Sequence, residues 1–179
     1  MSSLDVHEAE NVGPVRGRRR WLLVALGVCG ALALSLFVLA RIVGLASWWI
    51  PSEAMEPSVS QGDRLLTWSW GEVARGDIVV FDKPPDFLGS TEHLIKRVVA
   101  LPGEAVSFEG GLVHVDGQPL DEPYLAPGSS ETVGESVMVP AGHIYVLGDN
   151  RTASADSRLF GPVSLDLVDS NKHRIWRRG

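Results

Sequence analysis

Lys96 is the residue of this chain best placed to do chemistry. It lies in HLIKRVVAL (93–101), and in an extended strand its own face would be shared with Leu94, Val98 and Ala100. A free lysine titrates near pH 10.4 and is protonated at neutrality. Apolar burial can lower that value by several units, and a neutral amine can then accept a proton. Arg97 would point to the opposite face and need a carboxylate there. Taken alone, Ser154, Asp156 and Arg158 would be ordinary loop residues.

Other chemistries find less support. The five histidines, His7, His93, His114, His143 and His173, show no metal-binding spacing. The lone Cys29 allows neither a disulfide framework nor a multi-cysteine zinc site, and it reads as a small apolar filler. A net charge of −6 argues against nucleic acid as a partner, because phosphate recognition needs a basic face.

The elements around these residues divide the 179-residue chain sharply. Residues 1–20 are polar and end in Arg16, Arg18, Arg19 and Arg20. Residues 21–40 carry no charge, and twenty helical residues reach about 30 Å, the thickness of a bilayer core. After Arg41 the apolar stretch continues to Ile50. A soluble domain this small could hardly cover a helix apolar on every side. A cleaved signal peptide fits poorly as well: the run exceeds the usual apolar region, and Gly44-Leu45-Ala46 is a weak cleavage candidate. The expectation is an uncleaved anchor over 21–49, with Trp21 and Trp48-Trp49 at the interfaces. The arginines before the span place the N-terminus in the cytoplasm of a single-pass cell-membrane protein. Residues 51–179 would be extracytoplasmic, with 11 basic and 19 acidic side chains and hence a net charge of −8.

Beyond residue 50 the pattern has period two with frequent turns. Strands or hairpins are expected over 63–70, 77–81, 93–101, 105–120, 136–149 and 161–168. Gly110-Gly111 and Asp116-Gly117 mark tight turns. Residues 121–135 read as a long polar excursion, and no helical period follows the anchor. The fold expected for 50–168 is therefore all-β and mostly antiparallel. The basic segment 169–179 is expected to be a solvated tail. Trp68 and Trp70 would share a strand face, and with Phe87 and Leu88 they are either interfacial or core residues.

Four segments carry a family resemblance: IPSEAMEPSVSQGD (50–63), RGDIVVF (75–81), KRVVALPGE (96–104) and GDNRTASADSRLFGPV (148–163). In this order behind one span they resemble bacterial type I signal peptidase, in its smaller Gram-positive form. The resemblance implies a membrane-bound serine endopeptidase that removes signal peptides from exported proteins. It implies a Ser-Lys dyad with Lys96 as general base, oriented by Ser154, with Ser52 completing the oxyanion hole. No cofactor is needed. It further implies Arg97–Asp149 and Asp156–Arg158 ion pairs. A shallow pocket of Ile50, Pro51, Met55, Val59, Leu94 and Ile95 would accept small residues at the −1 position. The peptide would bind as an added strand beside 93–96. Signal peptides of exported preproteins and the lipid bilayer are the expected partners. A soluble Ser-Lys autoprotease of the repressor-cleavage type would share the β fold, but it has neither the span nor the GDNRxxSxDSR run.

At the nucleophile position the chain departs from the family, with Ala54 in place of serine. A methyl group cannot attack a carbonyl, so the chain is expected to be close to inactive. Three origins are compatible with this. The alanine is an engineered change, or it marks a natural non-catalytic paralogue that binds signal peptides or associates with another signal peptidase. Alternatively a neighbouring serine has taken over: Ser52 would then be lost from the oxyanion hole, and Ser58 would need a different chain path.

Overall fold

A computed structural model describes residues 15–42, 44–69, 71–85, 87–127 and 132–176; Trp70 and residues 1–14 lie outside it. The chain forms two compact units, Met1–Arg41 and Ile42–Gly179. In the first, helix α1 (Val15–Ile42) contains a stretch, Arg20–Ile42, long and apolar enough to cross a membrane, with no acidic residue in it.

The second unit is a mostly antiparallel β structure, as the alternating pattern implies. Its strands are β1 (Ala46–Trp49), β2 (Arg64–Trp68), β3 (Ile78–Asp82), β4 (His93–Ala100), β5 (Ala105–Glu109), β6 (Leu112–Val115), β7 (Gln118–Pro119), β8 (Val137–Met138), β9 (His143–Leu147), β10 (Val163–Ser164), β11 (Val168–Ser170) and β12 (Lys172–Trp176). They form a five-stranded sheet in the order β10-β9-β4-β3-β11, a three-stranded sheet β1-β2-β12, and a four-stranded sheet β7-β6-β5-β8. Apolar residues from both faces of the five-stranded sheet build the core. Val79, Phe81, Val98, Ile144 and Val146 pack on one side. Val99, Ala100, Tyr145 and Leu147 pack with Val106, Val113 and Val115 of the four-stranded sheet.

Three segments differ from the sequence reading. Ala46–Trp49, grouped there with the anchor, is a strand pairing with β2 from Ala46↔Thr67 to Trp49↔Arg64. The segment read as a solvated tail also folds: Lys172–Trp176 pairs with the other edge of β2, and Ile175 packs against the cluster of Ile50, Met55, Val59 and Leu65. Basic residues hid an alternation whose apolar member, Ile175, needed a sheet face to cover it. A short helix α2 (Ser157–Phe160) occurs where no helix was expected, with the Asp156 carboxylate accepting from the Arg158 N–H as its N-cap. Four residues are too few to show a helical period.

Candidate active site

The central strand β4 presents Lys96 and Arg97 to opposite faces, because successive side chains alternate across a strand. Lys96 pairs with Val79 of β3 and is 4% exposed. Its Nζ donates to the Ile95 carbonyl at 3.0 Å, and no salt bridge reaches it among the described residues. Burial lowers the amine from 10.5 to about 8; the Arg158 charge adds to the lowering, while Asp156 and Asp149 oppose it.

Ala54 sits in a loop pinned at its base. Ile50 N–H donates to the Asp63 carbonyl at 3.1 Å, and Gly62 N–H returns to the Ile50 carbonyl at 2.8 Å. Within the loop, Val59 N–H donates to Met55 at 2.9 Å, and the Ala54 carbonyl accepts from Asn150 N–H at 3.1 Å. Ala54 is buried at 7% exposure, whereas Ser52 is exposed.

Ala54, Ser52 and Lys96 line one cleft of about 440 Å³, together with Ile50, Pro51, Met55, Leu94 and Ile95. Val59, the sixth residue expected in this pocket, does not line it. It is fully buried behind, packed with Ile50 and Met55.

Ser154 departs from the expected arrangement. Its Oγ is buried and has no hydrogen-bond partner among the described residues, so the anticipated Ser154–Lys96 bond is not formed. The amine instead takes the carbonyl its own strand supplies. Gly148 explains how closely this loop approaches: a Cβ there would fall 2.2 Å from Ser154 Oγ and 2.6 Å from the Ala54 carbonyl oxygen.

Both anticipated ion pairs are present. Arg97 meets Asp149 through Nε–Oδ1 at 2.8 Å and a second contact to Oδ2 at 2.6 Å. It also donates to the Gly76 carbonyl at 2.8 Å and to Ser58 Oγ at 3.1 Å, and it lies over the Tyr124 ring at 3.9 Å. Arg158 meets both oxygens of Asp156 at 2.8 Å, and Asp156 accepts from Gly148 N–H at 3.0 Å. Sequence reasoning missed the extension of this network. Arg151 is buried, donates to the Gly148 carbonyl at 3.0 Å and to Thr132 Oγ1 at 2.8 Å, and pairs with Glu122. Glu122 in turn accepts from the Tyr124 hydroxyl at 2.7 Å. The polar excursion is thus tied to the loop that carries Ser154.

A buried amine lowered to about 8 that lines an apolar cleft gives up its proton far more readily than a free lysine, which is what a lysine general base needs. The family model described as signal peptidase, peptidase S26, matches residues 18–176. The chain belongs to this family. Like signal peptidase I of Bacillus caldolyticus, it carries the pattern almost end to end: the two are 34% identical over 179 residues, covering 90% of this chain and 91% of the relative. A probable signal peptidase I-1 of Synechocystis is 39% identical over 138 residues, covering 72% of this chain and 69% of the relative. The crystal structure of a signal peptidase I from Enterococcus faecalis superposes with a TM-score of 0.50 at 29% identity, covering 58% of this chain and 99% of the other.

Proposed function

We propose that this signal peptidase-family chain holds the ends of signal peptides in its cleft without cutting them, because its dyad lacks the attacking oxygen. Signal-peptide removal is the activity of the relatives, and recognition depends on parts retained here. The carrying observation is that buried Lys96, lowered to about 8, and the Ala54 methyl line the same cleft. With a serine at 54, its Oγ would attack the scissile carbonyl while the amine takes the hydroxyl proton. The amine would then return the proton to the leaving nitrogen, and water would cleave the ester. Ser52 Oγ and the N–H of residue 54 would receive the oxyanion. Alanine stops this sequence at its first bond and leaves binding untouched. Apolar Ile50, Met55, Leu94 and Ile95 suit the small side chains that precede a signal-peptide cleavage site.

The outward face of β1–β2–β12 bears Trp49, Leu66 and half-buried Trp68 with Arg64 and Arg174. That mixture suits the interface of a bilayer in which α1 is anchored with its N-terminus cytoplasmic.

The test uses the full chain in detergent micelles with a fluorogenic peptide ending its cleavage motif in Ala-x-Ala. The wild type should bind the peptide and leave it intact. Ala54→Ser should raise cleavage by about 10⁴-fold or more, and adding Lys96→Met should abolish the gain. A folded Ala54→Ser chain that cleaves nothing, or a wild type that cleaves as fast as the revertant, overturns the reading.

A further inference from the structure

Away from the dyad, strands β11, β3 and β4 bring together three residues far apart in sequence. Asp82 is the cross-strand partner of His93, and Asp169 lies between Val168 and Ser170, which pair with Phe81 and Val80. Asp82, His93 and Asp169 each offer one donor atom, and these atoms all lie within 4.8 Å of one another. His93 Nδ1 stands 2.9 Å from Asp82 Oδ1 and 3.3 Å from Asp169 Oδ2. Donors bound about 2.1 Å from a single divalent ion stand about 3.0–3.5 Å apart, close to both imidazole–carboxylate distances, and the third separation is within 4.8 Å.

The ring is held in place. Trp48 meets His93 edge to face at 4.6 Å between centroids, and Trp48 Nε1–H is fixed on Thr67 Oγ1 at 2.8 Å. Two carboxylates converge on one ring nitrogen, whose single N–H can serve only one of them well, whereas a cation there would serve both. The peptide chemistry uses none of these three side chains as acid, base or nucleophile.

We propose that Asp82, His93 and Asp169 form a divalent-cation site of one imidazole and two carboxylates, suited to Zn²⁺ or a neighbouring transition metal. The ring nitrogen decides the class, since Mg²⁺ and Ca²⁺ take oxygen ligands. Three protein ligands leave a position open for water. Bound there, the ion joins three adjacent strands at the rim of the peptide cleft, which both His93 and Trp48 line. Because it engages residues from separate strands, it stabilises the folded chain by mass action.

The test titrates ZnCl₂ into the tag-free full chain in detergent micelles, by calorimetry and by thermal unfolding. One ion per chain and a Tm that rises with Zn²⁺ concentration are expected. Asp82→Asn, His93→Ala and Asp169→Asn should each weaken binding by at least about tenfold, the lower end of what loss of an outer-shell partner costs at metal sites. His93→Gln replaces His93→Ala if the latter does not fold. Excess Mg²⁺ should leave Zn²⁺ bound. Absence of a one-to-one site, or wild-type Zn²⁺ affinity in the folded His93 variant, overturns the assignment. Neither readout involves peptide cleavage.

Discussion

Lys96 and Arg97 are adjacent cations on one strand, and the two faces of β4 treat them in opposite ways. On the Arg97 face the guanidinium receives both oxygens of Asp149, the Gly76 carbonyl, Ser58 and the Tyr124 ring. On the Lys96 face the amine finds one backbone carbonyl within an apolar cleft. A buried charge with a full set of partners is a structural fixture, and its removal strands the partners it leaves behind. A buried amine without a counter-ion prefers to be neutral, and that preference makes it a base. The difference lies in burial together with pairing: Lys96 is buried with no ion pair among the described residues, whereas Arg97 is half-buried against the carboxylate of Asp149.

The contrast can be tested by exchange. Removing the partner on the well-supplied side, Asp149→Ala, should cost about 3–5 kcal/mol, seen as a large fall in Tm of the folded unit. An unchanged Tm would mean that Arg97 does not depend on this pair.

The under-supplied side should respond with the opposite sign. The unfolded lysine titrates at 10.5 and the folded one at about 8, so at pH 7 folding must force a proton onto an amine that resists it. Lys96→Met should therefore stabilise the chain at pH 7, by roughly 3 kcal/mol at most. The advantage should shrink as pH rises from about 8 to 10.5, where the wild-type amine is neutral in both states. Destabilisation at pH 7 in chemical denaturation would refute the account.

In the Ala54→Ser chain the same shift should set the pH profile. Cleavage should fall about tenfold per pH unit below about 8 and level off above it, since only the neutral amine accepts the serine proton. A profile flat down to pH 5 would assign the base elsewhere. The smallest effect belongs to the rim of the Arg97 network. Tyr124→Leu removes the ring stacked on Arg97 and the hydroxyl bond to Glu122, and should cost about 1 kcal/mol in urea unfolding.

Much of the catalytic face was legible because it is local. Leu94 and Val98 flank Lys96 on one strand face, as period two predicts, whereas Ala100, expected beside them, is turned by a register shift after Val98 to the other side of the sheet, where it packs with Val99 and Leu147. Ser154, Asp156 and Arg158 were not legible from residue type, and only the ordered family segments singled them out. Arg151, Glu122 and Tyr124 escaped notice because charged loop residues are usually solvated. Here 29 positions separate Glu122 from Arg151, and the chain must fold back before either is buried. The Asp82–His93–Asp169 cluster is further out of reach: no spacing rule links residues joined only by sheet pairing.

The sequence by itself determined the apolar span, the β alternation, and the alanine at position 54, where the family resemblance expects a serine. These are properties of residue type and short-range order, which chain folding does not alter. Tertiary structure decided that β12 completes a sheet, that Ser154 Oγ is buried without a partner among the described residues, and that one of two neighbouring cations is paired while the other is left to the cleft. Those outcomes depend on which distant carboxylates and carbonyls arrive beside each group, and burial makes their presence or absence count.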